Sequence, residues 1–214
     1  MVKRKVSNPL ALAVLAVLSE SSMHPYEMAQ KLRGRGKEQS IRINYGSLYT
    51  VVDSLVRASF IEPVETFREG RRPERTVYAL TPAGAIELRE WLSEILRTST
   101  KEYPEFEAGL SLMPVLPPET VAPLLRQRVE SLEIRLAEVR AFMDQMRSNG
   151  LRRLFLIEAE YEEMMLRAEL AWVKCLAEEL EEGTLEDLEI WYRWHQGDES
   201  SGSFAVRGKE RHVS

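Results

Sequence analysis

Two groups of polar and basic side chains in the N-terminal half of the sequence could contact a polyanion. Asn44, Ser47 and Thr50 are spaced by three residues, so a helix would carry these short polar side chains on one face. Such side chains can reach base edges in the major groove of DNA. The second group lies in the glycine- and proline-containing segment 69–75, whose cations could neutralise phosphates or enter the minor groove: Arg71, Arg72 and Arg75.

Two more side chains of the same predicted helix are suited to hold phosphates, Tyr49 through its hydroxyl and Arg57 through its charge. The alternative for Tyr49 is a packed aromatic ring with its hydroxyl at the surface. For the arginine segment the alternative is a solvated turn. The basic run 3–5 could form an arm toward the DNA backbone, although basic termini are common. The predicted DNA-binding residues are Asn44, Ser47, Tyr49, Thr50, Arg57, Arg71, Arg72 and Arg75.

The charge of the chain is divided unevenly, as a basic end on an acidic body. The formal net charge is −5. Residues 1–80 contain 13 Lys and Arg against 8 Asp and Glu, a net charge of +5, whereas residues 81–214 contain 16 against 26, a net charge of −10. Because DNA binding needs local positive potential rather than a positive total, the acidic overall charge does not exclude it.

Catalytic, metal-binding and membrane-spanning classes have little support in the sequence. His24, His195 and His212 are far apart, Cys175 falls on a helical stripe, and no phosphate-binding glycine loop or metal-ligand spacing occurs. The longest apolar run, 10–18, is shorter than the roughly 20 residues that cross a bilayer. A single cysteine without a signal peptide fits a reducing compartment. We therefore predict a cytoplasmic protein that is not an enzyme and needs no cofactor or metal.

Prolines mark where the helices that carry these residues begin. Proline lacks an N–H that the first turn of a helix would leave unpaired, so Asn8-Pro9, His24-Pro25 and Thr81-Pro82 each predict a helix start. Asn44 predicts a further start by capping. Apolar periodicity then predicts strands at 60–68 and 76–80 and helices at 9–19, 25–32, 45–58 and 82–97. This order of elements is typical of a winged helix-turn-helix.

The C-terminal half is predicted to be helical. Apolar residues spaced alternately by three and four predict one long helix that stops at 148–150 and a second over about 151–182, paired as an antiparallel hairpin. Such a hairpin leaves apolar surface that a second copy would bury, and the alternative is an intramolecular bundle in a monomer. The residues predicted to dimerise are Leu125, Val129, Leu132, Leu136, Val139, Met143, Met146, Tyr161, Met165 and Trp172.

The predicted organisation has four parts. A DNA-binding domain at 1–97 is followed by a proline-rich linker at 98–118, a helical dimerisation domain at 119–196 and a polar, disordered tail at 197–214. The predicted fold class is mainly α with a small β-hairpin wing. It joins an N-terminal winged helix-turn-helix to a C-terminal antiparallel helical dimerisation domain.

Three motifs of the N-terminal half resemble those of PadR-family transcriptional regulators. Residues 44–61 resemble the recognition-helix signature of that family. Residues 24–28, His-Pro-Tyr-Glu-Met, are similar to the start of its second helix, and residues 77–84, Val-Tyr-Ala-Leu-Thr-Pro-Ala-Gly, are similar to its exit from the wing. Ala58-Ser59 departs from the pattern, because the family usually has a glycine there.

The resemblance covers residues 8–95, and residues 105–182 are similar in pattern to the helical C-terminal domain of longer PadR proteins. It implies a homodimer that binds double-stranded DNA, represses transcription and responds to an unidentified small-molecule effector. Two copies of the recognition helix would make a palindromic operator readable. The competing hypothesis is a helical scaffold or adaptor whose winged domain contacts proteins.

Overall fold

A computed structural model describes residues 6–67 and 75–196 of the chain, which divides into two compact units, Met1–Lys101 and Glu102–Ser214. Within the described ranges, no helix combines the length and the apolar character needed to cross a bilayer. Several predictions fall on residues outside the description: the basic run 3–5, Arg71, Arg72 and the tail 197–214, together with the side chain of Arg75.

The first unit has the predicted order of helices and strands. It consists, over its described residues, of α1 (Pro9–Leu18), α2 (Pro25–Gly34), a 3-10 turn (Lys37–Gln39), α3 (Tyr45–Arg57), β1 (Ile61–Phe67), β2 (Arg75–Leu80) and α4 (Pro82–Arg97). The predicted fold class, mainly α with one β-hairpin, is confirmed.

The residue before each of the three prolines caps a helix. α1, α2 and α4 begin at Pro9, Pro25 and Pro82, and the preceding side chain accepts a hydrogen bond from the first turn in each. In α2, His24 Nδ1 accepts from the backbone N–H of Tyr26 at 3.1 Å. The predicted helix starts are therefore confirmed, because the unpaired N–H groups of the first turn have found acceptors.

α1 lies at the centre of the first unit. Leu10, Val14 and Leu15 are at most 1% exposed, as expected for a helix that is apolar on most faces. One stripe of α3 belongs to the same core: Leu48, Val51, Val52 and Leu55. Burial of that stripe decides which face of α3 points outward.

The hairpin is tied to the end of α3 through Thr81. β1 and β2 pair antiparallel, with an irregularity between Pro63 and Glu65. The Thr81 hydroxyl lies 2.8 Å from the carbonyl oxygen of Ser59 and 3.0 Å from that of Phe60, and the Thr81 N–H donates to the same Phe60 oxygen at 3.1 Å. The exit from the wing is therefore fixed to the end of the helix.

Ser59 closes α3 in the left-handed conformation, with φ 62°. Its N–H donates to Val56 O at 2.9 Å, and the N–H of Phe60 donates to Leu55 O at 3.0 Å. A left-handed residue with a Cβ is disfavoured because the Cβ crowds the neighbouring carbonyl. The serine thus adopts, at a steric cost, the conformation that a glycine would adopt freely.

The second unit contains, over its described residues, α5 (Glu105–Leu112), a 3-10 turn (Met113–Val115), α6 (Pro118–Ser148), a 3-10 turn (Arg153–Phe155), α7 (Ile157–Glu182) and α8 (Leu188–His195). Residues 105–115 of the segment predicted as a linker are therefore helical. α6 and α7 form an antiparallel hairpin, because residue numbers rise along one helix as they fall along the other in the ion pairs Arg126–Glu181, Glu133–Lys174 and Arg147–Glu160.

The α6 residues predicted to dimerise are covered within a single chain. Five of them are between 2% and 7% exposed: Leu125, Val129, Leu132, Leu136 and Met143. Val139 is partly buried against the core of the second unit, and Met146 is half-buried. The facing stripe of α7 consists of Leu166, Val173, Ala177 and Leu180. Within one chain these α6 side chains hold the hairpin together, and a role for them in dimerisation stays a prediction.

A second apolar stripe of α7 is exposed. Tyr161, Met165 and Trp172 are 62%, 49% and 50% exposed, and their spacing of four and seven residues places them on one face. Within the chain, α6 packs on the other stripe of α7, which runs through Leu166 and Val173. Dimerisation through the exposed stripe stays a prediction.

Candidate nucleic-acid interface

α3 begins at a side-chain cap that leaves donors free. Asn44 is extended, and its Oδ1 accepts a hydrogen bond from the Ser47 N–H at 2.7 Å. An amide carries two N–H donors besides that oxygen, and within the described ranges those of Asn44 have no acceptor. Asn44 can therefore cap the helix and still donate to a base or a phosphate.

The outward face of α3 carries the polar side chains that the sequence predicts there. Thr50 and Arg57 are exposed, and Ser47 is half-buried. Tyr49 is 48% exposed, so a bound partner could reach its ring and hydroxyl. A phosphate contact by Tyr49 stays a prediction.

The hydroxyls on this face are bonded to the backbone of their own helix. Thr50 Oγ1 donates to Gly46 O at 3.0 Å, and Ser54 Oγ donates to Thr50 O at 2.8 Å. In this arrangement Thr50 offers a partner an acceptor oxygen and a methyl group. The acceptor suits the amino group of adenine or cytosine, and the methyl suits the methyl of thymine.

The second strand of the wing lies beside α3. Burial, and then the charge of Asp53, raise the pKa of the Tyr78 hydroxyl, while a hydrogen bond with Thr76 opposes the shift. The backbone of Tyr78 also pairs with Met23, with N–H to oxygen bonds of 3.1 and 3.2 Å. The strand is therefore tied to the segment before α2 through the backbone of Tyr78, and Tyr78 stays a neutral phenol near pH 7.

Three arginines of residues 69–75 are predicted to contact phosphates. Arg71 and Arg72 lie outside the described residues, and Arg75 begins β2 with its side chain outside the description. Contacts of these three arginines with phosphate stay a prediction.

Several cations of the basic half are neutralised within the fold. Glu20 accepts hydrogen bonds from Arg35 at 2.5 and 2.8 Å and lies 2.9 Å from Lys31 Nζ. Hydrogen bonds from Arg35, and then from Lys31, lower the pKa of the Glu20 carboxyl to about 2. Arg33 pairs with Glu38 at 2.8 Å. The count of 13 Lys and Arg in residues 1–80 therefore overstates the number of cations that are available to a ligand, whereas the net charge already includes these carboxylates.

Three residues that the sequence analysis did not select belong to this surface. Arg42 is exposed, has no ion pair or hydrogen bond among the described residues, and precedes the cap of α3 by two positions. Tyr26 and Tyr45 stack at the starts of α2 and α3, with ring centroids 5.8 Å apart. The sequence contains two signals for these residues. One is a basic residue just before a helix cap, and the other is a tyrosine in the first turn of each of two helices.

A metal centre finds no support in the described ranges, 6–67 and 75–196. They contain no group of three or more His, Cys, Asp or Glu side chains that could hold an ion.

Comparison with known proteins gives a family match and similar solved structures. Residues 14–90 match the model of the Transcriptional regulator PadR-like family. No curated protein sequence matches the chain. Bacillus subtilis PadR in complex with operator DNA is similar at a TM-score of 0.64 and 15% identity, over 81% of this chain and 99% of that one.

Two further solved structures are similar in fold. Bacillus subtilis PadR in complex with p-coumaric acid has a TM-score of 0.62 and 15% identity, over 80% of this chain and 98% of that one. A PadR-like transcriptional regulator of Bacillus cereus has a TM-score of 0.56 and 16% identity, over 81% and 99%.

Proposed function

We propose that this chain, whose residues 14–90 match the model of the PadR-like family of transcriptional regulators, is a homodimeric repressor that binds a palindromic operator and responds to a small-molecule effector. The observation that carries the proposal is the two-faced character of α3. Its apolar stripe is locked into the core, while Asn44, Tyr49 and Thr50 face solvent. A helix that enters the major groove needs both faces.

Binding energy and sequence preference come from different parts of this surface. Phosphate contacts by Arg57, Arg42 and the wing arginines Arg71, Arg72 and Arg75 supply affinity that depends on salt, because each neutralised phosphate releases counterions. The short side chains of α3 supply the preference for particular bases. With one acceptor and one methyl offered by Thr50, direct readout is modest, and DNA shape contributes to the choice of site.

The homodimer is proposed to form through the exposed stripe of α7. Tyr161, Met165 and Trp172 each leave about half of the side chain or more exposed. Ile157 and Met164, on the same helix, are 52% and 54% exposed and enlarge the apolar area. Contiguous apolar surface of this kind is unusual on a monomer and is covered well by an identical stripe related by two-fold symmetry.

Two-fold symmetry connects the dimer to the operator. Two recognition helices related by a dyad read the same half-site on opposite strands, so the preferred DNA is an inverted repeat. A small molecule regulates such a dimer when it binds the DNA-competent arrangement and another arrangement with different affinities. The solved complex of Bacillus subtilis PadR with p-coumaric acid supports an effector of small-molecule size for this chain as well.

A gel-shift experiment tests the proposal. Full-length protein is titrated at low salt against duplex DNA taken from upstream of its own gene, with a coding-region duplex of equal length as the control. We expect a shift of the upstream duplex at lower protein concentration than the control. No shift of either duplex at low salt would reject the proposal and favour the adaptor hypothesis.

A further inference from the structure

An aromatic pair joins the starts of α2 and α3 at the surface of the first unit. The rings of Tyr26 and Tyr45 lie parallel within 7°, with centroids 5.8 Å apart. Tyr26 is 49% exposed and Tyr45 is 39% exposed, so neither ring belongs to the core. Tyr26 is the second residue of α2 and Tyr45 is the first of α3. The pair therefore stands at two neighbouring helix N-termini. Glu27 occupies that of α2 by accepting from the His24 N–H at 2.8 Å, whereas α3 has no acidic residue in its first turn, so the partial positive charge that favours an anion is that of α3.

Arg33 holds Tyr45 in place from the end of α2. Its Nη1 donates to the Tyr45 hydroxyl at 3.0 Å, and its guanidinium carbon lies 4.9 Å from the centre of the Tyr45 ring. Nη2 donates to the Ile43 carbonyl at 3.2 Å, and Nε donates to Glu38 at 2.8 Å. Because Glu38 neutralises the guanidinium, the main effect of Arg33 here is to orient the tyrosine.

The bond from Arg33 decides what the Tyr45 hydroxyl can offer. A phenol has one proton and an oxygen that accepts. Since the oxygen of Tyr45 accepts from Arg33, its proton is free to be donated, and in the part of the chain that the structure describes no group accepts it. The Tyr26 hydroxyl has no hydrogen-bond partner there either. Two exposed phenol donors stand side by side and suit an acceptor that is anionic and has no proton of its own.

We infer that Tyr26 and Tyr45 donate hydrogen bonds to the phosphate backbone of the DNA beside the bases that α3 reads, with Arg33 as a positioning residue. This inference rests on the proposed function. The unpaired cation of Arg42, three positions before Tyr45, adds positive charge in the same segment. Neutral donors of this kind orient the helix on the duplex without reading bases.

Phenylalanine substitutions test the hydroxyls while keeping the rings. We expect Tyr26→Phe and Tyr45→Phe each to weaken binding by about tenfold, since a hydrogen bond to a charged group is lost. The loss should be equal on all DNA sequences. The thermal unfolding temperature should be unchanged in Tyr26→Phe and slightly lower in Tyr45→Phe, which loses the hydrogen bond from Arg33. Tyr103→Phe is the matched control, because Tyr103 is 84% exposed and lies outside the first unit. Wild-type affinity of both variants would overturn the inference.

Neutral phosphates separate a phosphate contact from a purely structural role. A duplex selected by the wild-type protein is synthesised with single methylphosphonates along each strand, and the affinities of wild type and Tyr45→Phe are compared at every position. We expect one position where the methylphosphonate weakens the wild type but not Tyr45→Phe, and Arg33→Met to behave like Tyr45→Phe there. If the affinity loss from Tyr45→Phe and the loss from the methylphosphonate multiply at every position of the duplex, the inference is overturned. If the wild type binds no duplex, the proposed function itself fails, which is a distinct result.

Discussion

The backbone of Gly84 lies against the carbonyl of Phe60 so closely that a Cβ on residue 84 would be 2.0 Å from the Phe60 oxygen. The side chain of Leu80 would be 2.8 Å from the same Cβ. Phe60 lies three residues beyond Arg57, the last residue of α3, and Gly84 lies in the first turn of α4. Only glycine therefore lets α4 approach the point where the chain passes from α3 into the wing.

We expect Gly84→Ala to lower the free energy of unfolding by about 1–3 kcal/mol, the usual cost of an added methyl in a packed site. Gly34→Ala is the matched control, because nothing lies within 4 Å of a Cβ at Gly34. Urea unfolding of the two full-length variants makes the comparison. Equal stability of the two would show that the backbone approach does not exist in solution.

Ser59→Gly should raise the free energy of unfolding by about 1 kcal/mol, because the left-handed residue no longer carries a Cβ. The neighbouring Ala58→Gly has the opposite expectation. Ala58 has φ −79°, so glycine there gains no relief and costs about 0.5–1 kcal/mol in chain entropy. Urea unfolding measures both, and a loss of stability in Ser59→Gly would contradict the strain at that position.

Trp172→Glu should convert a dimer into single chains of 24.6 kDa, because a carboxylate would then be buried in the proposed α7 contact. Ile134→Glu is the control, since Ile134 is 62% exposed on α6 and is not part of the α7 stripe. Light scattering gives both masses. A wild-type mass of one chain would show that the protein does not dimerise. A dimeric Trp172→Glu would show that the dimer forms through another surface.

The double variant Arg71→Ala, Arg72→Ala should bind every DNA sequence more weakly and depend less on salt. Each phosphate contact that is lost lowers the slope of log affinity against log salt by roughly one. Arg97→Ala, at the end of α4, is the control for an exposed arginine. Fluorescence anisotropy at several salt concentrations measures the slopes. A slope equal to that of the wild type would favour the solvated-turn alternative for this segment.

Local chemistry made the first unit predictable from its sequence. Pro9, Pro25 and Pro82 each follow a residue that can cap, and the apolar stripe of α3 has a single periodicity. Those signals act over three or four residues, so they survive without knowledge of the rest of the fold. Asn44 could be predicted as a cap for the same reason.

Long-range partners could not be predicted in the same way. α7 carries two apolar stripes, one through Leu166 and Val173 and one through Met165 and Trp172, and only the pairing with α6 decides which is buried. Ion pairs between the helices, such as Lys174–Glu133, help to set that register. The neutralisation of Arg35 by Glu20, fifteen positions away, is another contact that no local pattern reveals.

Selection from a random pool of duplexes shows whether two copies of α3 read symmetric DNA. Full-length protein is incubated with the pool at low and then at moderate salt, and the retained fragments are sequenced. We expect an inverted repeat whose half-site centres are about 10–10.5 base pairs apart, or a multiple of that distance. Absence of any enriched sequence at low salt, or enrichment of a single motif without an inverted copy, would contradict it.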